Sequence, residues 1–135
     1  MTDFQLHPNI ARSTHLVADL ALCQLRLMDD RRFPWLLLVP RRDGAREIHH
    51  LAAADRAVLL EEIVIVSAIA ESLFAPEKLN VGALGNITPQ LHIHIVARFA
   101  ADAAWPGPVW GAGTAERYEA AALATLIARL RAALL

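Results

Sequence analysis

The sequence predicts an α+β fold, in which an antiparallel sheet of about five strands packs against a long central helix and a C-terminal helix. Two patterns indicate this fold. From Gln90 to Arg98 apolar and polar side chains alternate with the period of a strand. From about residue 54 to residue 73 apolar side chains instead recur at helical spacing. The two periods differ, so the chain contains both kinds of element.

The remaining elements follow from shorter patterns. Residues 1–20 are predicted to form an arm with one helical turn before the sheet. The alternating segment from Leu20 to Met28 and the apolar run from Trp35 to Val39 are predicted strands, and a further strand is expected from Leu79 to Ala83. The last element, from Thr114 to about Leu134, has the spacing of a helix. Its apolar stripe either folds back on the sheet or docks on a second copy.

Size and composition describe one globular domain over residues 1–135. We expect its core at about 15–110 and a C-terminal helical extension at about 114–134. The chain is 56% hydrophobic and 20% charged, with a net charge of -1 at pH 7. No broad field therefore attracts nucleic acid or an anionic membrane, and no apolar run reaches the roughly 20 residues of a membrane span.

Cysteine content and the N-terminus indicate the compartment. The single cysteine, Cys23, rules out an internal disulfide, and the first residues lack the basic-then-apolar form of a secretory signal. We therefore expect a cytoplasmic protein, with Cys23 as a small buried packing residue. Three glutamates of the long helix, Glu61, Glu62 and Glu71, are expected to face solvent.

The stretch from Asn80 to Phe99 concentrates the residues that can perform chemistry. On a strand His92 and His94 face the same side as Gln90, while the apolar residues between them face the core. Two residues advance about 6.5–7 Å along a strand, so the two imidazoles stand over one small-molecule-sized patch. Neutral imidazole is a nucleophile near neutral pH, and its covalent phosphoryl intermediate reacts with water.

These residues resemble the histidine triad (HIT) family, whose motif is His-φ-His-φ-His-φ-φ with φ apolar, preceded by an Asn and a glycine-containing loop. The matching run extends from Asn80 to Val96, with Gln90 at the position of the first histidine. The resemblance continues upstream in Pro34 to Arg42, a strand that ends in Pro and two basic residues, and downstream in Trp105-Pro106.

The resemblance implies a HIT-like fold and roles for five residues. His92 matches the middle histidine, which is the nucleophile and becomes transiently nucleotidylated. His94 matches the third histidine, which contacts the substrate phosphates or the departing oxygen. Asn80 and Asn86 are expected to donate hydrogen bonds to the nucleotide and its α-phosphate. Gln90 replaces a histidine that supports the nucleophile, and it is expected to orient the nucleotide or the nucleophile by hydrogen bonding.

The resemblance also implies features around these residues. In relatives an acidic residue after the first of these strands binds the ribose hydroxyls, and Asp30 or its neighbour Asp29 is the nearest equivalent. Alternatively, both are turn residues that face Arg31 and Arg32. Ile87 stands where several relatives place a Ser that assists the leaving group. The covalent route requires no metal and no cofactor, and a homodimer is expected.

Three functions stay open at this point. The first is a nucleotide hydrolase or transferase that acts on nucleoside phosphoramidates or dinucleoside polyphosphates. The second is a nucleotide-binding module with little turnover, because the carboxamide of Gln90 cannot carry a proton near neutral pH. The third is a metal-binding protein that uses His92-x-His94 with a further ligand from His49, His50 or Asp30.

Overall fold

The structure, a computed structural model, describes residues 4–135. In chain order the helices and strands are α1 (Pro8–Ser13), β1 (Thr14–Asp19), β2 (Cys23–Met28), β3 (Trp35–Pro40), a short 3₁₀ turn (Ile48–His50), α2 (Ala53–Phe74), β4 (Lys78–Gly82), β5 (Ile93–Arg98) and α3 (Ala120–Ala133). The strands form one antiparallel sheet in the order β1-β2-β3-β5-β4. The predicted α+β fold is therefore confirmed.

One face of the sheet is covered by α2 and α3. Leu59 and Val66 of α2 are buried in the same apolar cluster as Ile95 of β5. Leu130 of α3 is also buried there, next to partly buried neighbours from the same helix. The C-terminal helix therefore packs on its own sheet, which decides between the two arrangements that the sequence allows. Within residues 4–135 no helix has the length and apolar character needed to cross a bilayer.

A second apolar cluster covers the opposite face, which carries the histidines. Its buried members are Ile10, Phe33, Trp35, Leu37, Val39, Val96 and Val109. Phe4 and Leu6 of the N-terminal arm pack against this cluster, and so does Trp110. As a result every residue of β5 is buried. The sequence predicts one accessible face, whereas the structure covers both, because two segments without regular periodicity fold over the second face.

Several element boundaries differ from the predictions: the strands predicted from Leu20 and from Gln90 begin at Cys23 and Ile93, and two other differences are larger. Residues 14–19 are not part of an arm but form the edge strand β1, which pairs with β2. The last helix begins at Ala120 rather than Thr114. The segment before it is extended because its backbone N–H groups bind the carboxylates of Asp29 and Asp30. Helical apolar spacing alone does not reveal these distant acceptors.

The expectation that Glu62 faces solvent is wrong. Glu62 is 4% exposed, and its carboxylate accepts the backbone N–H of Leu22 at 3.0 Å and that of Cys23 at 2.9 Å. A buried carboxylate needs such donors, and here they join α2 to the turn between β1 and β2. Cys23 is fully buried, as expected, and burial raises the pKa of its thiol.

Candidate active site

His92 lies just before β5 and keeps one ring nitrogen free. Its Nδ1 is 2.6 Å from the carbonyl oxygen of Gln90. A carbonyl oxygen can only accept a hydrogen bond, so Nδ1 carries a proton, and in the neutral ring Nε2 keeps its lone pair. Nε2 has no hydrogen-bond partner among residues 4–135. The side chain is 7% exposed, and the unprotonated nitrogen is the one that can attack an electrophile.

Two adjoining cavities, of about 280 and 60 Å³, are lined by His92. They share Gly85, Asn86 and Thr88 from the loop between β4 and β5. The smaller cavity is also bordered by Arg46 and Glu47, two neighbouring side chains of opposite charge. The two cavities together have room for a phosphate group and part of the molecule attached to it.

Gly85 sets how closely this loop approaches His92. A Cβ atom at Gly85 would lie 2.9 Å from Cε1 of His92 and 2.7 Å from the carbonyl oxygen of Thr88. Both distances are shorter than van der Waals contact, so only glycine fits the observed backbone here. The glycine-containing approach seen in the sequence therefore has a specific physical reason, which is the packing of backbone against the imidazole.

His94 has no free ring nitrogen. The indole Nε1–H of Trp35 donates to Nδ1 at 3.0 Å, and Nε2–H donates to the carbonyl oxygen of Leu84 at 2.9 Å. The pKa of His94 is lowered from 6.5 to about 4, chiefly by burial; the bond to Leu84 acts in the opposite direction, and the charge of His92 makes a smaller lowering contribution. His94 is therefore neutral at pH 7 and supports the loop that borders the cavities.

Aromatic rings surround His94. Trp110 packs edge to face on it with ring centroids 5.2 Å apart, and the His92 ring is 4.9 Å away on another side. Gly82 pairs with His94 across the sheet, and the ring of Trp110 lies over this glycine. Trp110 thus covers the third histidine of the motif. These rings exclude water from His94, which explains its lowered pKa.

Asn80 lies away from His92. It pairs with Val96 in the ladder between β4 and β5, and its Oδ1 accepts a 2.7 Å hydrogen bond from Nη1 of Arg98. Four strand positions separate Val96 from His92, which corresponds to about 13 Å. The structure therefore places the Asn80 side chain in a buried network around Arg98 and not beside the cavities.

The acidic candidates also lie elsewhere. Asp30 is 2% exposed, and both of its carboxylate oxygens accept hydrogen bonds from Arg32 at 2.8–3.0 Å. Asp29 binds Arg117 and the backbone N–H of Tyr118. Both carboxylates thus anchor the segment before α3 or the turn after β2. The alternative of turn residues facing neighbouring arginines describes Asp30 well.

Gln90 and Asn86 do lie next to His92, but in different ways. The Gln90 amide points to the N-terminal arm, where Oε1 accepts the backbone N–H of His7 at 2.8 Å and Nε2 donates to the carbonyl of Gln5 at 2.9 Å. Asn86 is exposed and lines both cavities. Of the six predicted site residues, the structure therefore brings together His92, His94, Asn86 and Gln90.

In the described part of the chain, no third ligand joins His92 and His94 to form the alternative metal site. Among residues 4–135 no group of three or more His, Cys, Asp or Glu side chains could hold a metal ion. His49 and His50 instead pack on each other in the 3₁₀ turn, with ring centroids 4.6 Å apart. Nδ1 of His50 accepts the backbone N–H groups of Arg46 and Glu47.

Sequence reasoning missed the partners that fix His94. Trp35 is 59 positions away in sequence, and it reaches His94 only because β3 pairs with β5. The carbonyl of Leu84 belongs to the loop between β4 and β5, and the pattern of side chains in the sequence does not predict the path of the loop backbone. Trp35 was visible only as one more apolar residue in a predicted strand, so no signal in the sequence distinguished it.

Comparisons with known proteins identify the family of the chain. A family profile described as the HIT domain matches residues 11–101, which is more than half of the chain. The chain belongs to the HIT family. Its structure is similar to that of a histidine triad protein from Bradyrhizobium japonicum, with 41% identity, a TM-score of 0.95 and 98% of each chain covered.

Two further solved HIT proteins are similar over nearly their whole length. The one from Marinobacter aquaeolei shares 43% identity with a TM-score of 0.95, and the match covers 97% of this chain and 96% of that one. The one from Sinorhizobium meliloti shares 45% identity with a TM-score of 0.92 and 94% coverage of both chains. No curated protein matches the chain. The relatives thus establish family and fold, and the site itself must indicate the chemistry.

Proposed function

We propose that this HIT protein is a nucleotide hydrolase or transferase that acts on nucleoside phosphoramidates or dinucleoside polyphosphates through a covalent nucleotidyl intermediate on His92. The supporting observation is the 2.6 Å contact between Nδ1 of His92 and the carbonyl of Gln90. It directs the proton to Nδ1 and leaves Nε2 as an oriented nucleophile beside a cavity. In this proposal Gln90 stands where relatives carry the first histidine of the triad.

The proposed reaction has two displacement steps. In the first, Nε2 of His92 bonds to the α-phosphorus, and the bond from phosphorus to the leaving nitrogen or oxygen breaks with its electron pair. The leaving group takes its proton from water. In the second step a water oxygen bonds to phosphorus, loses a proton to solvent, and the bond from phosphorus to Nε2 breaks. Throughout, Nδ1–H donates to the Gln90 carbonyl and stabilises the positive imidazole ring.

Charges around His92 favour this intermediate. A nucleotidylated imidazole is cationic, so a second positive ring 4.9 Å away would repel it. His94 avoids this repulsion because it is neutral at pH 7. Arg46 and Glu47 both border the smaller cavity, and in this proposal the guanidinium of Arg46 binds the phosphate oxygens. We assign His94 a positioning role, since a contact with the substrate would require it to give up Trp35 or Leu84.

Intact-protein mass spectrometry after brief exposure to an adenosine phosphoramidate tests the proposal. A transient adenylyl-sized mass gain is expected in the wild type and not in His92→Ala or His92→Gly. His49→Ala is the matched control, because His49 is an exposed histidine of the 3₁₀ turn that lines neither cavity next to His92. It should form the adduct at the wild-type rate.

The opposite results have clear meanings. An adduct that persists in His92→Ala would assign the nucleophile to another residue. Tight nucleotide binding without any adduct in the wild type would replace the enzyme by a nucleotide-binding module. Neither outcome would change the assignment to the HIT family, because that assignment rests on the chain as a whole and not on His92.

We further propose that the chain acts as a cytoplasmic homodimer that meets through α2. Leu60 and Val64 are 60% and 53% exposed on one face of this helix, and Ile65 is half exposed beside them. The edge strand β4 offers unpaired backbone groups, and a two-fold axis lets such an edge meet its own copy. Sedimentation should show a dimer for the wild type and a monomer for Val64→Glu. A monomeric wild type would refute this interface.

A further inference from the structure

The N-terminal arm is attached to the loop that carries His92 at two places. The backbone of Gln5 and His7 is bound by the side chain of Gln90, at 2.9 and 2.8 Å. Two residues farther along the arm, Nδ2 of Asn9 donates to Oγ1 of Thr88 at 3.2 Å. The arm therefore contacts alternate residues of the loop on the N-terminal side of His92.

The Gln90 amide forms the same pair of hydrogen bonds with the arm that the backbone of a neighbouring strand would form. In an extended segment the carbonyl of one residue and the N–H of the next residue but one point to the same side. The carbonyl of Gln5 and the N–H of His7 form such a pair, and the amide of Gln90 answers them with one donor and one acceptor. No side chain other than Asn or Gln presents both groups from one planar end. The contact thus uses both the donor group and the acceptor group of the carboxamide at once.

The same residue controls His92 through its backbone. The carbonyl of Gln90 accepts from Nδ1 of His92, and the N–H of Leu91, on the other side of this peptide unit, donates to the carbonyl of Ala45 at 3.0 Å. One peptide unit is therefore held by Ala45 and in turn orients the imidazole. The Gln90 side chain adds a third attachment, this time to the arm.

We propose that the arm is a structural part of the catalytic site, and that Gln90 is a positioning residue that transmits its position to the tautomer and direction of His92. By clamping Gln5 and His7, the side chain restrains the Gln90–Leu91 peptide whose carbonyl holds Nδ1–H. Without the clamp only the bond from Leu91 to Ala45 restrains this peptide, its carbonyl holds Nδ1–H less firmly, and the proton of His92 then distributes between Nδ1 and Nε2. Only the Nδ1–H form is nucleophilic at Nε2. This inference rests on His92 as the proposed nucleophile, but its structural claim concerns the tautomer alone.

His7 offers a matched pair of variants that isolates one hydrogen bond. His7→Pro deletes the backbone N–H that Gln90 accepts, and the observed φ of -60° at His7 is already the angle that proline requires. His7→Ala keeps this N–H. Both variants lose the hydrogen bond that the backbone N–H of Asn9 donates to Nδ1 of His7, so that contribution cancels. Gln90→Met removes both bonds of the clamp at similar side-chain length.

Two readouts test the inference on full-length protein. Long-range ¹H–¹⁵N correlation spectra of ¹⁵N-histidine protein report the tautomer of His92 directly. We expect the Nδ1–H form in the wild type and in His7→Ala, and a mixture in His7→Pro and Gln90→Met. For turnover of an adenosine phosphoramidate, kcat of His7→Pro should fall about fivefold below that of His7→Ala, with KM unchanged.

Each opposing result overturns the inference. If His7→Pro and His7→Ala show the same tautomer, the clamp does not position His92, whatever the activity. If Gln90→Met raises kcat/KM, the arm is a lid that hinders the substrate. If the wild type turns over nothing, the proposed function fails, but the spectra still decide whether the arm fixes the tautomer. Circular dichroism verifies that each variant is folded before these comparisons are made.

Discussion

The buried neutral state of His94 predicts a specific loss of stability in mild acid. Burial lowers its pKa from 6.5 to about 4, so between these values the unfolded chain binds a proton that the folded chain does not. Stability therefore rises with pH across this window, is fully present above pH 6.5 and is lost as pH falls toward 4. A shift of this size corresponds to about 3 kcal/mol, of which about 2.5 kcal/mol is lost between about pH 7.5 and pH 4.5.

Urea unfolding at these two pH values, followed by circular dichroism, measures the loss. His94→Gln is the informative variant, because glutamine retains one donor and one acceptor but does not titrate. Between pH 7.5 and pH 4.5, we expect the free energy of unfolding to fall by about 2.5 kcal/mol less in His94→Gln than in the wild type. His49→Gln, at an exposed position, is the control. Equal pH dependence of wild type and His94→Gln would refute the reasoning.

Two further predictions concern the walls of the cavities. Gly85→Ala should slow formation of the His92 adduct by about 10²-fold, because the added methyl group displaces the imidazole, and should cost about 1–3 kcal/mol of unfolding free energy. Gly82→Ala, whose Cβ would meet only Trp110 at 3.7 Å, should be much milder by both measures. Arg46→Gln should raise KM for a charged phosphoramidate about tenfold at low salt and less at high salt, in steady-state kinetics.

The controls separate these effects from general damage. Equal losses of adduct rate and stability in Gly85→Ala and Gly82→Ala would show that a side chain at either glycine is harmful. The close approach of Gly85 to the His92 ring would then not explain the effect. For the arginine, Arg42→Gln is the matched control, because Arg42 forms a two-point ion pair with Asp55 and does not border the His92 cavities. A KM increase in Arg46→Gln over the wild type that is equally large at low and at high salt would contradict the electrostatic role.

The sequence by itself determined the features that depend on local periodicity. Alternation places His92 and His94 on the same side of a strand, and the helical stripe places α2 on the other face of the sheet. Both features depend only on neighbours a few positions apart, which a linear pattern can display. Cys23, predicted to be buried, follows from the same alternation in β2.

Only the tertiary structure decided what each polar atom binds. Asn80 belongs to the matched motif, yet the antiparallel register sets it opposite Val96 and gives its oxygen to Arg98. The apolar Trp35 becomes a hydrogen-bond donor to His94 because two strands far apart in sequence are neighbours in the sheet. A hydrogen bond depends on positions and directions to within fractions of an ångström. Such distances are set by strand register and loop path, and these arise only when the whole chain packs.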